Sequence, residues 1–251
     1  MKKKVILVIV VAFLSSANAV VVDDFESYVL GTVMDNGVGG WNIYGGFNAN
    51  TASPVVKDST NYTEFNGQFL MLKDDNSYAN SSEAINKSIP MTLNKDGDYL
   101  QVAVYISSET IGGTVASGAL IVRLEDESLH PITSGGIAWR QFTYVDNGVT
   151  KYTALRPSYN TWYVLRSTLR DSDSDGVIDS WDFDVFDATM NPYTSAHGIA
   201  TSYTTASSVT MSCAGSSSKG IALVDEITVI PEPATIVLLS IGGWIFTRRK
   251  H

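Results

Sequence analysis

The run from Asp171 to Asp182, DSDSDGVIDSWD, holds the densest chemistry in the chain. Carboxylates recur at Asp171, Asp173, Asp175, Asp179 and Asp182, the spacing with which a loop wraps a hard cation. Gly176 stands where such a loop turns sharply, and the Val177 carbonyl is the expected backbone ligand. Ca²⁺ is the implied ion. Asp182 stands where a longer Glu would reach bidentately. The competing reading is a plain turn, because Asp, Ser and Gly are turn formers without any metal. Either way the run is structural rather than catalytic. A second acidic set lies at the two ends of the body: Asp24 and Glu26 near its start, Asp225 and Glu226 near its close. Along each strand side chains alternate, so one acid of each pair can lie on a given face. The set then either holds a second Ca²⁺ through oxygen ligands or forms a solvated acidic edge.

Little else is nucleophilic or metal-binding. Cys213 is the single cysteine, so no intrachain disulfide forms, and alternation in Val209–Cys213 makes it a small buried hydrophobe. His130, His197 and His251 show no ligand or triad spacing. There is no Gly-x-Ser-x-Gly, HExxH or phosphate loop. Glu125-Asp126-Glu127 is acidic, but adjacent residues on a strand point to opposite faces, and the group is expected to be a turn after Leu124. The glycine-flanked Trp41 and Tyr44 are the candidate platform for stacking a sugar, with core packing as the alternative for Trp41.

The elements that must position these residues read as strands. Alternating, β-branched and aromatic stretches occur near 20–25, 68–73, 99–106, 119–125, 140–146, 162–169, 177–186, 208–213 and 220–229. Gly, Asn, Asp and Ser separate them, and no stretch of the body keeps a 3.6-residue period. The expectation is an all-β domain of about nine or more strands, a sandwich rather than a barrel. The Ser/Thr-rich tract 189–218 reads as a long loop followed by one strand.

Val21-Val22-Asp23-Asp24-Phe25-Glu26, Gln68-Phe69-Leu70-Met71-Leu72, Thr161-Trp162-Tyr163-Val164-Leu165 and Ile221-Ala222-Leu223-Val224-Asp225-Glu226 together resemble concanavalin A-like or LamG-like jelly-roll domains. The resemblance implies that the first and last strands lie side by side, and it agrees with the structural calcium raised for the terminal acids. Laminarinase-type enzymes of that fold carry an E-x-D-x-E strand, and this chain has none. The acidic run is similar in ligand spacing to thrombospondin type-3 loops, and its strand-like flanks set it apart from an EF-hand.

Both ends carry targeting features. Lys2, Lys3 and Lys4 precede an apolar run, and Ala17 and Ala19 complete a small-x-small pattern, so residues 1–19 are expected to be a cleaved signal peptide. At the other end Pro231-Glu232-Pro233 leads into ATIVLLSIGGWIFTRRKH, where Arg248, Arg249 and Lys250 close a short apolar helix. This order resembles the PEP-CTERM sorting signal over residues 231–251. It implies a transient anchor in the inner membrane, cations on the cytoplasmic side, and processing by an exosortase-type enzyme. The body, 20–230, then lies outside. Without Lys2, Lys3, Lys4, Arg248, Arg249, Lys250 and Glu232, the 17 basic and 26 acidic residues become 11 and 25, a net charge of −14. Such a body is repelled by nucleic acid. The reading is an exported, non-enzymatic structural or adhesive sandwich of the envelope or extracellular matrix, in contact with exopolysaccharide. The alternatives are a specific carbohydrate-binding lectin and a degenerate glycoside hydrolase.

Overall fold

The computed structural model describes residues 19–34, 37–43, 55–58, 67–74, 82–106, 110–111, 114–115, 120–138, 141–214 and 220–232. In chain order the strands are β1 (Val20–Asp23), β2 (Trp41–Ile43), β3 (Val55–Asp58), β4 (Gln68–Asp74), β5 (Ser82–Leu93), β6 (Tyr99–Ile106), β7 (Thr110–Ile111), β8 (Thr114–Val115) and β9 (Leu120–Glu125). They continue with β10 (Pro131–Ala138), β11 (Gln141–Asp146), β12 (Val149–Tyr152), β13 (Thr161–Arg170), β14 (Ser180–Asp187), β15 (Pro192–Ala200), β16 (Ala206–Ala214) and β17 (Gly220–Ile230). Among the described residues there is no α-helix, only a 3-10 turn at Val38–Gly40, and no helix long and apolar enough to cross a membrane.

Two antiparallel sheets pack face to face. One has the order β15-β14-β13-β6-β17-β4-β3, with β1 also pairing with β17. The other has the order β12-β11-β10-β9-β16-β5-β2, and β7-β8 is a separate hairpin. The first and last long strands are neighbours, Val20 opposite Val229 and Val21 opposite Thr228. This arrangement agrees with the jelly-roll sandwich expected from the sequence.

Alternation builds the core. Leu120, Val122 and Leu124 on β9 and Val209, Met211 and Cys213 on β16 point inward from the seven-stranded sheet. They meet Val102 and Val104 of β6, Tyr163 and Leu165 of β13, and Phe183 of β14. Each large apolar side chain so buried contributes about 1.5–3 kcal/mol. The sheets come closest at Gly135 of β10, where an added Cβ would stand 2.7 Å from the Phe183 ring. Phe69, Tyr105 and Leu223 form a smaller buried cluster with Met71 and Trp162. Tyr105 and Leu223 alternate with core residues, which puts this cluster on the far face of the larger sheet.

The structure adds strands that local pattern did not show. β10 contains Gly135-Gly136, and β5 contains Asn86, Lys87 and Pro90, yet cross-strand partners hold both in place. The tract expected to be a long loop contains β15, which pairs with β14 from Ser180–Ala200 to Phe186–Pro192. β14 begins at Ser180 rather than 177, because the acidic run occupies the connection from β13. β11 and β12 join through Asn147 and Gly148, both with positive φ (50° and 75°), as a tight hairpin turn requires.

Candidate functional site

The acidic run is a loop between β13 and β14. Asp171, Asp173 and Asp175 each place a carboxylate oxygen within 4.8 Å of the others. Oxygens at that separation fit around one Ca²⁺ with bonds of about 2.3–2.6 Å. The backbone holds them there: Asp171 accepts from the Gly176 amide at 2.8 Å and the Asp175 amide at 3.1 Å, and Asp175 accepts from the Val177 amide at 2.8 Å. Ser174 and Gly176 take positive φ, 64° and 89°, to make the turn.

The remaining expected ligands behave differently. Asp179 accepts from the Ser172 hydroxyl, the Ser172 amide at 3.0 Å and the Ser180 hydroxyl at 2.9 Å. Those bonds hold its carboxyl below the usual range, and they tie the neck of the loop. Asp182 corrects the sequence reading. It lies on β14, where Arg170 Nε donates to it at 2.6 Å and the Gly198 amide at 3.0 Å, with His197 Nδ1 at 3.4 Å. Burial opposes its charge, but the Arg170 hydrogen bond and the Gly198 amide hold its carboxyl below the ordinary range. Both oxygens are occupied, so Asp182 is no ligand for the loop. Val177 is exposed beside it.

Asp24, Glu26, Asp225 and Glu226 do come together, because β1 lies along β17. Glu226 takes a positive φ of 45° in a bulge between Asp225 and Thr228. Burial, then the neighbouring Glu226, Glu26 and Asp24, push the Asp225 carboxyl up to about 7. Glu26 is partly committed, accepting from the Gln68 amide at 2.7 Å. Among the described residues only the Asp171–Asp173–Asp175 group converges tightly enough to share one ion.

Of the two readings of Trp41, core packing is the one the structure shows, and the residue is no sugar platform. It is fully buried, its indole Nε1 donates to Asp23 at 2.8 Å, and its ring stacks on Phe25 at 6.3 Å. The same Asp23 oxygen accepts from Tyr28 and Lys87, each at 2.8 Å. A buried carboxylate thereby pins β1 of one sheet to β2 and β5 of the other. Burial and the Asp23 hydrogen bond push the Tyr28 phenol up. Tyr44 lies outside the described residues, as do Ala17, Pro233, Arg248 and Arg249. Ala19 is exposed just before β1. Glu232 leaves β17 with its amide bonded at 2.8 Å to Asp98, a buried carboxylate that also accepts from Asn94 and Lys95.

The most site-like surface is one the sequence did not reveal. On the outer face of the seven-stranded sheet, register places Ser134, Arg123, Thr210, Asn86 and Asn42 side by side across five strands. At the strand spacing of a sheet this row is about 19 Å long. In the next row Thr143 faces Gly136, where an added Cβ would meet the Leu120 carbonyl at 1.9 Å, so the row has a notch. Asn86 donates to Thr210 at 2.7 Å, and the Thr210 hydroxyl donates to Glu125. Glu125 is therefore the last residue of β9, as the strand expected over 119–125 has it, and part of this network; the turn follows it. Burial pushes its carboxyl up, against the Thr210 bond and Arg123. Arg123 Nε, Thr143 Oγ1 and Ser208 Oγ are buried without a hydrogen-bond partner. Beside Ser134 and Val145 a crevice of about 380 Å³ runs toward Trp181, Asn147 and Tyr203.

No protein-family profile and no curated protein matches the chain. Solved structures do. A sialidase superposes with a TM-score of 0.54 at 11% identity, over 86% of this chain and 18% of the other. The catalytic domain of a glycoside hydrolase family 131 protein from Coprinopsis cinerea gives 0.49 at 9% identity, over 84% and 93%. Winged bean acidic lectin, complexed with methyl-α-D-galactose, gives 0.46 at 9% identity, over 79% and 94%. The chain thus spans less than a fifth of the sialidase. At such identities the likeness is one of fold.

Proposed function

We propose that the chain is an exported, non-enzymatic β-sandwich that binds polysaccharide through the outer face of its seven-stranded sheet. The observation that carries this reading is the row of small polar side chains around Arg123, with polar atoms of Arg123, Thr143 and Ser208 left without partners. A buried donor or acceptor without a partner costs about 1–3 kcal/mol. A ligand rich in hydroxyls recovers part of that cost where side-chain rotation turns such an atom toward it. Short polar side chains along a flat row suit an extended chain of sugars better than a compact ligand.

The non-enzymatic part rests on carboxylate count. Glycoside hydrolysis of the common kind uses two carboxyls about 5–9.5 Å apart across the scissile bond. Among the described residues Glu125 is the carboxylate on this face, and it is engaged by Thr210. Export by the signal at 1–19, a transient inner-membrane anchor, processing of 231–251 by an exosortase-type enzyme and placement at the cell surface or matrix complete the reading. Ca²⁺ in the Asp171–Asp173–Asp175 loop has a structural role within it.

A glycan array probed with the full-length chain tests the proposal. Retention on polysaccharides of one or a few linkage types is the expected result and favours a lectin-like specificity. Uniform weak retention favours a structural matrix role. Release of new reducing ends from any retained polysaccharide overturns the non-enzymatic part.

A further inference from the structure

We infer that Arg123 makes the outer face of the seven-stranded sheet a receptor for the carboxylate groups of an acidic, uronate-containing polysaccharide. The inference rests on the polysaccharide-binding reading above and specifies its ligand. An arginine on a strand normally spends its planar fork on a carboxylate, two parallel bonds at once. Arg123 does not. Its contact with Glu125 is a 4.0 Å approach of NH1 to Oε1, too long for a hydrogen bond, and its Nε is buried without a partner. Glu125 gives its other oxygen to Thr210, which is itself held by Asn86. The counter-charge is therefore drawn away from the guanidinium by a fixed relay.

The setting favours an anionic guest. The Arg123 side chain remains 34% exposed, while its flanking neighbours Ser134 and Thr210 are 6% and 0% exposed and carry hydroxyls. Register sets Ser134 on one side of Arg123 and Thr210 on the other. A sugar ring laid along this row would rest on the small side chains that flank Arg123 and present its carboxylate to the exposed end of the guanidinium. Unpartnered Ser208 and Thr143, 5% and 1% exposed, lie on the same face within two rows and extend the polar floor. The body's overall negative charge opposes the approach of a polyanion. At physiological salt that repulsion is screened beyond about 8 Å, so the desolvated contact at Arg123 decides the preference.

The test compares matched probes. Oligomers of galacturonate, glucuronate, mannuronate and guluronate are each paired with their carboxyl-reduced, neutral counterparts, and binding to the full-length chain is measured by calorimetry. At least one acidic member should bind about tenfold more tightly than its neutral partner, the scale of one charge-assisted pair. Arg123→Gln should erase that ratio, Arg123→Lys should keep part of it, and Asn86→Ala should weaken both members of the pair alike. Glu125→Gln, which keeps the Thr210 bond and removes the competing charge, should widen the ratio, and it serves if Arg123→Gln does not fold. Equal affinity within every pair, or a ratio unchanged in Arg123→Gln, overturns the inference. If neutral oligomers bind and acidic ones do not, the groove stands and the acidic ligand falls. If no glycan binds, both fall.

Discussion

Asp225→Asn is the sharpest perturbation of the acidic end of the sandwich. Burial and the carboxylates of Glu226, Glu26 and Asp24 raise the Asp225 carboxyl from 3.8 to about 7 in the folded protein. The folded state thus holds a proton that the unfolded chain has released. Stability from this group is complete below about pH 4 and is lost as pH rises through about 7. At about 1.36 kcal/mol for each pH unit the ceiling is about 4 kcal/mol. Asp225 is partly exposed, and solvent screening reduces the expected effect to about 1–2 kcal/mol. For a body of this size that is about 2–8 °C in melting temperature. Thermal unfolding in chelator, from pH 4 to pH 8.5, measures it for both proteins. The wild type minus Asp225→Asn difference should be near zero or favour the wild type at pH 4 and favour the variant by several degrees at pH 8. The other carboxylates cancel in that difference. Parallel curves across the whole range would refute the assignment of the shift to Asp225.

Two further outcomes follow from the buried and loop acids. Asp23→Ala leaves the half-buried Lys87 without its counter-charge and removes the acceptor of Tyr28 and Trp41. It should cost about 3–5 kcal/mol in urea unfolding, and a loss under about 1 kcal/mol would show that the two sheets do not depend on this pin. Calorimetric titration with Ca²⁺ should give binding that Asp173→Ala abolishes and Asp182→Asn leaves intact, since Asp182 belongs to Arg170; equal loss in both variants would contradict the loop geometry.

How much of this was legible in the sequence depends on the range of the signal. Alternation in Tyr99–Ile106, Leu120–Leu124 and Thr161–Leu169 marked central strands, because one face of each is buried and the period of two is local. The β1–β17 pairing and the meeting of Asp24, Glu26 and Asp225 followed from the resemblance of the terminal phrases. Other features needed the third dimension. Gly135-Gly136 reads as a turn until Phe183 and the Leu120 carbonyl are seen to leave no room for a side chain. Spacing nominated Asp182, but β14 turned it toward Arg170. Flanking glycines nominated Trp41, but Asp23 and Phe25 claimed its ring. The outer row left no trace at all: Asn42, Asn86, Arg123, Ser134 and Thr210 are common residues from five separate strands, and only register makes them neighbours.

The central claim is that this face binds polysaccharide. The most direct measurement is calorimetric affinity of the full-length chain for the best ligand on the glycan array, set beside Thr210→Val. That variant removes the hydroxyl joining Asn86 to Glu125 while keeping the side chain's shape. Saturable binding that falls about tenfold or more in a folded Thr210→Val protein is the predicted result. Unchanged affinity in that variant, or no affinity for any glycan in the wild type, would contradict the account.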